Sequence, residues 1–154
     1  MILPPTAPDQ SERQRLMGVL ARAPRAAIET ALATFGPLPA YREMRKPETG
    51  LVTLRGRIGG GAAAFNLGEA TATRVSVRLE TGEVGHAYAL GRDAAKARLA
   101  ALIDAAFQNP SLHDSVIAAV FEPLLQAEAE GERRKTEETA ATKVDFFTMV
   151  RGED

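Results

Sequence analysis

The sequence contains no cysteine. A chain without thiols forms no disulfide, offers no thiolate nucleophile and cannot hold a metal through sulfur, which also suits a reducing cytoplasm. An excess of one charge is missing too, because 19 basic and 20 acidic residues leave a net charge of -1. A nearly neutral chain lacks the long-range attraction that brings basic proteins to nucleic acid or anionic lipid. We therefore expect neither nucleic acid nor a membrane as a partner.

Long apolar runs are also missing. Nowhere do about 20 apolar residues follow one another, and the opening "MILPPTAPDQ" lacks the basic and apolar regions of a signal peptide. We expect a soluble, cytoplasmic protein. At 154 residues with 45% hydrophobic side chains, the chain has the size of one ordinary domain. Prolines near the start predict a disordered segment over 1–10, followed by a single domain over 11–142 and a tail over 143–154.

Helical periodicity appears at both ends of the domain. "SERQRLMGVLARA" predicts a first helix from near Ser11, and Pro24 can occupy the first turn of a second one. Asp93 can cap a third helix, and helical signals resume at Ser111. Pro123 then either kinks that last helix or starts another. The polar "AEAEGERRKTEETAATK" that follows is either a solvated arm or a helix laid against another chain.

The central region changes to a period of two. "GLVTLRGRI" predicts a half-buried strand, and "EATATRVSVRLE" with "ETGEVG" and "VGHAYAL" predicts an antiparallel hairpin. "AYREMRK" would be a polar edge strand and "AAFNL" a short one. The order of helices, strands and helices predicts an α+β fold, in which an antiparallel sheet of about four or five strands has helices before and after it packed on one face.

The chain ends in "KVDFFTMVRGED", which holds two of its six phenylalanines. Chain ends usually fray, so an apolar cluster here indicates that another surface covers it. We expect the tail to dock on a partner through Phe146, Phe147, Met149, Val150 and Arg151.

Three candidate sites come from the residues alone. The glycine-rich loop with Gly59 and Gly60 could form an anion-binding nest, although no P-loop lysine follows and a hairpin loop is the favoured alternative. His86 could transfer protons, but a histidine hydrogen-bonded at a sheet surface is favoured, and neither it nor His113 has a partner at metal-ligand spacing. No metal site is expected.

Arginines form the third candidate. Arg55, Arg57, Arg74 and Arg78 project from the polar faces of neighbouring predicted strands, and the arginine fork matches phosphates and carboxylates. They could contact a phosphorylated ligand or pair with Glu43, Glu69 and Glu80, and the charge pairs are favoured. Hydrolase, kinase and dinucleotide motifs are missing, so we assign no catalytic residue and keep His86 and Arg74 as candidates.

Three stretches carry a resemblance to a known family: "ETGLVTLRGRIGGG" with "FNLGEATATRVSVRL", then "GHAYALGRDAAKARLAALIDAAFQ", and the final "KVDFFTMVRGED". They resemble the G subunit (PhnG) family of the carbon-phosphorus lyase system for phosphonate use. The likeness runs from about Glu48 to Asp154, with a weak stretch between Pro110 and Thr142.

The resemblance implies an accessory subunit of an enzyme complex, and whether the chain is catalytic itself stays open. The implied partners are the I subunit above all, with the H and J subunits of the core complex and the ATP-binding L protein. The implied reaction displaces adenine from ATP by a phosphonate, giving ribose 1-phosphonate 5-triphosphate, so ATP is a substrate of the complex and no cofactor belongs to this chain. The alternative is a self-contained phosphate-ester or nucleotide-binding enzyme that uses Arg74 and the glycine loop.

The resemblance also selects residues. Arg74 and Arg92, with Gly59 and Gly60, are the ligand-binding candidates that match the family pattern. Departures occur at Gly61, Val75 and Leu90, where relatives often carry Thr, Cys and a polar residue. These departures argue against a general thiol role on that strand and against substrate contacts by those side chains.

Overall fold

The computed structural model describes residues 10–58 and 63–141. Two helices come first, α1 (Gln10–Arg22) and α2 (Arg25–Phe35), and three strands follow, β1 (Tyr41–Gly56), β2 (Phe65–Leu79) and β3 (Val84–Leu90). The helix α3 (Ala94–Gln108) leads to α4 (His113–Val116), a π-helical turn (Ile117–Phe121) and α5 (Glu122–Ala141). The α+β class is thus confirmed. Of the predicted terminal segments, residues 1–9 and 142–154 lie outside the described part of the chain.

The first two helices form where their apolar spacing predicts them. Leu16, Val19 and Leu20 are the buried stripe of α1. Pro24 lies just before α2 in an extended conformation, and Gly36, with a φ of 96°, ends that helix by donating its N–H to the carbonyl of Leu32 at 3.1 Å. Glycine adopts such a positive φ without a steric cost, so the sequence ends α2 at this residue.

The sheet has three antiparallel strands in the order β1-β2-β3 within the described residues, rather than the four or five predicted. "AYREMRK" and "GLVTLRGRI" fall largely in the 16-residue strand β1, and "AAFNL" contains the start of β2. Register shifts occur between Glu43 and Arg45 and between Arg45 and Glu48, and the second of them contains Pro47. A proline is tolerated at a bulge of an edge strand, so β1 continues through it.

One face of the sheet is covered. The β2–β3 hairpin buries Val75, Val77 and Leu79 on β2 and Ala87 on β3, while the alternating residues of both strands face away from the core. The predicted hairpin and its alternation are therefore confirmed. We call the opposite face, which carries Arg74, His86 and Tyr88, the open face.

Helix α3 packs tightly on the covered face. Asp93 caps it by accepting the N–H of Lys96 at 2.9 Å, as predicted. A Cβ built on Gly85 of β3 would lie 2.6 Å from the backbone N of Ala105 and still closer to the carbonyl oxygen of Ala101. Only glycine allows the helix to approach β3 this closely.

The last helix continues through Pro123 by way of the π-helical turn. That wider turn ends at Phe121, and only Glu122 separates it from Pro123, which removes one helical N–H donor. Val116, Val120, Phe121 and Leu124 are buried, whereas most of α5 beyond Leu124 is exposed. None of the helices within the described residues has the length and apolarity needed to span a bilayer.

The end of β1 and the start of β2 are more exposed than predicted. Beyond the last residue pair with β3, at Ala72 and Leu90, the two strands continue as a ribbon of residues 51–56 and 65–71, which we call the arm. Leu51 on the arm is 64% exposed, and Ile58 just beyond it is 76% exposed, so "GLVTLRGRI" is not half-buried in this chain. The reason is that β3 and the covering helices do not extend this far.

Candidate functional site

A cleft of about 710 Å³ opens between the first half of α1 and the open face of the sheet. Cross-strand register builds its floor. Arg45 lies opposite Ser76 and Ser76 opposite His86, while Glu48 lies opposite Arg74 and Arg74 opposite Tyr88. Residues that are directly opposite in antiparallel strands share a face, so two rows of polar side chains lie side by side.

Arg74 has a charge partner that the sequence did not suggest. Its Nε and Nη2 each lie 3.1 Å from Oε2 of Glu48, and Nη1 of Arg45 lies 3.3 Å from the same oxygen. Glu43, one of the predicted partners, instead accepts from Nε of Arg98 at 2.6 Å on the covered side, and this hydrogen bond raises the pKa of Arg98. A single carboxylate thus serves two guanidinium groups in the cleft and leaves an excess positive charge.

His86 is hydrogen-bonded at the sheet surface. Its Nδ1 and the hydroxyl of Ser76 are 2.8 Å apart, and its backbone N–H donates to Oδ2 of Asp104 at 2.8 Å. The pair resembles the hydroxyl and imidazole of a hydrolase. However, no carboxylate within the described residues holds the other ring nitrogen of His86, as a triad requires.

The buried partner of this region is Asp104, which the sequence reasoning missed. It is fully buried on α3, and its two oxygens accept from Nε and Nη2 of Arg13 at 2.7 and 2.8 Å. The hydrogen bond to Asp104 raises the pKa of Arg13, against the opposing effect of burial. The available signal was a single acid within the apolar run "AALIDAAF", because a buried acid requires a charged or hydrogen-bonding partner.

The remaining predicted site residues do not meet in the cleft. Arg92 follows β3 just before α3 and does not line the cleft. Gly59 and Gly60 lie outside the described residues, as do Phe146, Phe147, Met149, Val150 and Arg151 of the tail. His113 donates from Nδ1 to the carbonyl of Phe107, 2.8 Å away, and packs on the ring of that residue.

The chemistry of the cleft favours binding of an anion. Within residues 10–58 and 63–141, no group of three or more His, Cys, Asp or Glu side chains could hold a metal. What the cleft offers is arginine forks on a rigid sheet, beside a hydroxyl and an imidazole. Such forks bind carboxylate or phosphate through paired hydrogen bonds.

Comparison with known proteins matches this chain both to a family and to a curated relative. The family model described as phosphonate metabolism protein PhnG matches residues 11–152. A protein of Rhizobium meliloti (strain 1021), named alpha-D-ribose 1-methylphosphonate 5-triphosphate synthase subunit PhnG, is 53% identical over 144 residues. That alignment covers 94% of this chain and 92% of the relative.

Proposed function

The chain belongs to the PhnG family of phosphonate metabolism proteins, and we propose that it is an accessory subunit of an alpha-D-ribose 1-methylphosphonate 5-triphosphate synthase. In this reaction a phosphonate oxygen bonds to C1 of the ribose of ATP, and the bond from C1 to adenine breaks. The product keeps the 5-triphosphate. ATP is thus a substrate of the whole complex, and no cofactor is assigned to this chain.

The observation that carries the proposal is 53% identity across nearly the full length of both proteins. No domain-sized part of the relative lacks a counterpart here, so the comparison supports transfer of the subunit role as a whole. The cleft agrees with a supporting role, because it offers charge for binding but no complete catalytic triad within the described residues.

Partners follow from the same proposal. We place the I subunit as the main partner, with the H and J subunits in the same core complex and the ATP-binding L protein acting with it, in the cytoplasm. The exposed apolar arm supports an assembly role, because large exposed apolar patches on a single chain usually mark protein contacts. The tail residues Phe146, Phe147, Met149, Val150 and Arg151 form a second proposed contact.

The test is adenine release from ATP and methylphosphonate, measured by chromatography. A mixture of the I, H and L proteins is assayed with this chain present or omitted, and with the relative named above as a positive control. We expect release to depend on this chain. Equal release in its absence would remove the accessory role.

A second candidate is a self-contained phosphate-ester or nucleotide-binding enzyme that uses Arg74 and the glycine loop. The basic cleft favours it, because arginine forks suit phosphate whether or not partners are present. Steady turnover of ATP or another phosphate ester by this chain alone would support this candidate, and no turnover without partners would reject it.

A further inference from the structure

The open face carries more arginines than its acidic side chains can neutralise. Arg42 lies directly opposite Arg78 at one end of the face. The next row pairs Arg45 with Ser76, and the row after that pairs Glu48 with Arg74. We call Arg42, Arg45, Arg74 and Arg78 the arginine face. Its only ion-paired carboxylate within the described residues is Glu48, which serves Arg45 and Arg74 together.

Arg42 and Arg78 are the unexplained part of this arrangement. Like charges directly opposite on neighbouring strands destabilise a sheet, and within the described part of the chain neither residue forms an ion pair. The Nε of Arg78 is also buried without a hydrogen-bond partner. A buried donor that is left unpaired costs free energy, and a bound anion would remove both costs.

Sheet geometry lets one ligand reach several of these groups. Neighbouring strands are about 4.8 Å apart, and residues two apart on one strand are separated by about 6.8 Å on the same face. Arginine stems are long enough to lean from one row toward the next. Arg74 and Arg78 lie four residues apart on β2, about 13.6 Å, on either side of Ser76 and the neighbouring Arg45. When their long stems lean toward Ser76, an extended anion along β2 meets Arg74, Arg78 and Arg45, while a single phosphate meets one row.

We propose that the arginine face binds a triphosphate group, with Arg45, Arg74 and Arg78 as its direct ligands and Arg42 adding to the positive potential. Four guanidinium groups with one carboxylate leave three positive charges, which matches a chain of phosphates better than one carboxylate or one phosphate. A cleft of about 710 Å³ beside the face also lies within the size range of small-molecule sites.

The identity of the ligand rests on the proposed function. A 5-triphosphate is the group that ATP shares with the product named for the relative's synthase. A chain that holds this group would keep the ribose in place while the bond at C1 is exchanged, without itself reacting. The arginines would then be binding residues, and catalysis would remain with another subunit.

The first experiment is calorimetric titration of the full chain with inorganic tripolyphosphate, then with orthophosphate. We expect tripolyphosphate to bind more tightly, and added salt to weaken it. Arg74→Gln and Arg78→Gln should each weaken the affinity for tripolyphosphate by about tenfold, the factor that corresponds to loss of about one charged hydrogen bond. Arg133→Gln, which removes an exposed arginine of α5, is the matched control and should bind like the wild type.

Thermal melting separates binding from folding. Arg78→Gln should melt at or above the wild-type temperature without ligand, because it removes a buried unpaired donor. Added tripolyphosphate should raise the melting temperature of this variant less than that of the wild type. No binding by the wild type, or equal weakening by Arg133→Gln, would overturn the proposal. A second result would also overturn it: Arg74→Gln and Arg78→Gln bind tripolyphosphate as the wild type does but no longer associate with the other subunits. The arginine face would then contact an acidic protein surface.

The assembled synthase distinguishes this proposal from the accessory role. If the chain is required for adenine release, Arg74→Gln and Arg78→Gln should raise the KM for ATP in complexes that contain all subunits. If adenine release does not depend on the chain, only the accessory role is refuted, because the tripolyphosphate titration is carried out on the chain alone. An unchanged KM in a chain-dependent assay would overturn the triphosphate site alone.

Discussion

Asp104 accepts both hydrogen bonds of the Arg13 guanidinium, although 91 residues separate them in the sequence. Its Oδ2 also accepts the backbone N–H of His86. One buried carboxylate therefore joins α1, α3 and β3. Because α1 forms one wall of the cleft, this contact fixes the wall against the floor.

The first prediction concerns this carboxylate. Asp104→Ala leaves the Arg13 guanidinium and the His86 N–H without their acceptor in a buried site. Breaking a buried pair from one side usually costs about 3–5 kcal/mol, and we expect about 3 here because Arg13 is partly exposed. Urea unfolding measures the change. Asp114→Ala, an exposed acid on α4, is the control and should change stability little; a loss below about 1 kcal/mol for Asp104→Ala would contradict the expectation.

The second prediction uses two glycines with opposite surroundings. Gly85→Ala forces a methyl group against the backbone of α3, which should cost about 1–3 kcal/mol or more. Gly131→Ala places the same methyl group in open space on α5 and should stabilise the helix by up to about 1 kcal/mol. Thermal melting of both variants should therefore move in opposite directions. A shared direction would show that the close packing at Gly85 is not tight.

The third prediction is a pH dependence at the junction of α1 and α5. A hydrogen bond from Arg22 lowers the pKa of Glu128 below its ordinary 4.5. Since the pKa is lower in the folded state, the pair stabilises the fold above the unfolded value and loses this effect as pH falls through the folded value. Glu128→Gln should thus melt lower than the wild type near neutral pH and equally in strong acid. Glu130→Gln is the exposed control, and a pH-independent gap for Glu128→Gln would refute the assignment.

Local patterns in the sequence predicted those parts of the fold that depend on local chemistry. The stripe of Leu16, Val19 and Leu20, the cap at Asp93 and the alternation of Val75 and Val77 were all confirmed. Each is set by spacing within one element. Burial of the arm was wrong, because alternation shows that a segment is a strand but not whether a helix covers it.

The site was less predictable because it depends on register and on contacts between distant elements. Arg74 was a sound candidate for a charge pair, yet the shifts around Pro47 bring Glu48 opposite it. Glu43 lies opposite Val77, on the covered face, and pairs with Arg98 of α3 instead. The ion pair between Arg13 and Asp104 joins a helix that precedes the three strands in the chain to one that follows them, so no local sequence pattern specifies it.

The fourth prediction concerns the tail. Deletion of residues 143–154 should leave the melting temperature of the domain unchanged and prevent co-purification with the I subunit. Each buried apolar side chain of the tail would contribute about 1.5–3 kcal/mol of gross transfer free energy, less the cost of ordering. If the tail instead packs on its own domain, deletion lowers the melting temperature and co-purification persists.

The last prediction tests whether the arm contacts the other subunits. Leu51 is largely exposed in the single chain, so Leu51→Lys should change its unfolding free energy by no more than about 0.5 kcal/mol. At an interface the same charge would have to be buried, and association should weaken strongly.

Leu125→Lys places a charge at an exposed leucine of α5, away from the arm, and serves as the control. Co-purification of the I, H and J subunits measures the effect. Equal recovery with both variants would mean that the arm stays exposed to solvent in the complex, whereas selective loss with Leu51→Lys would identify it as a contact surface.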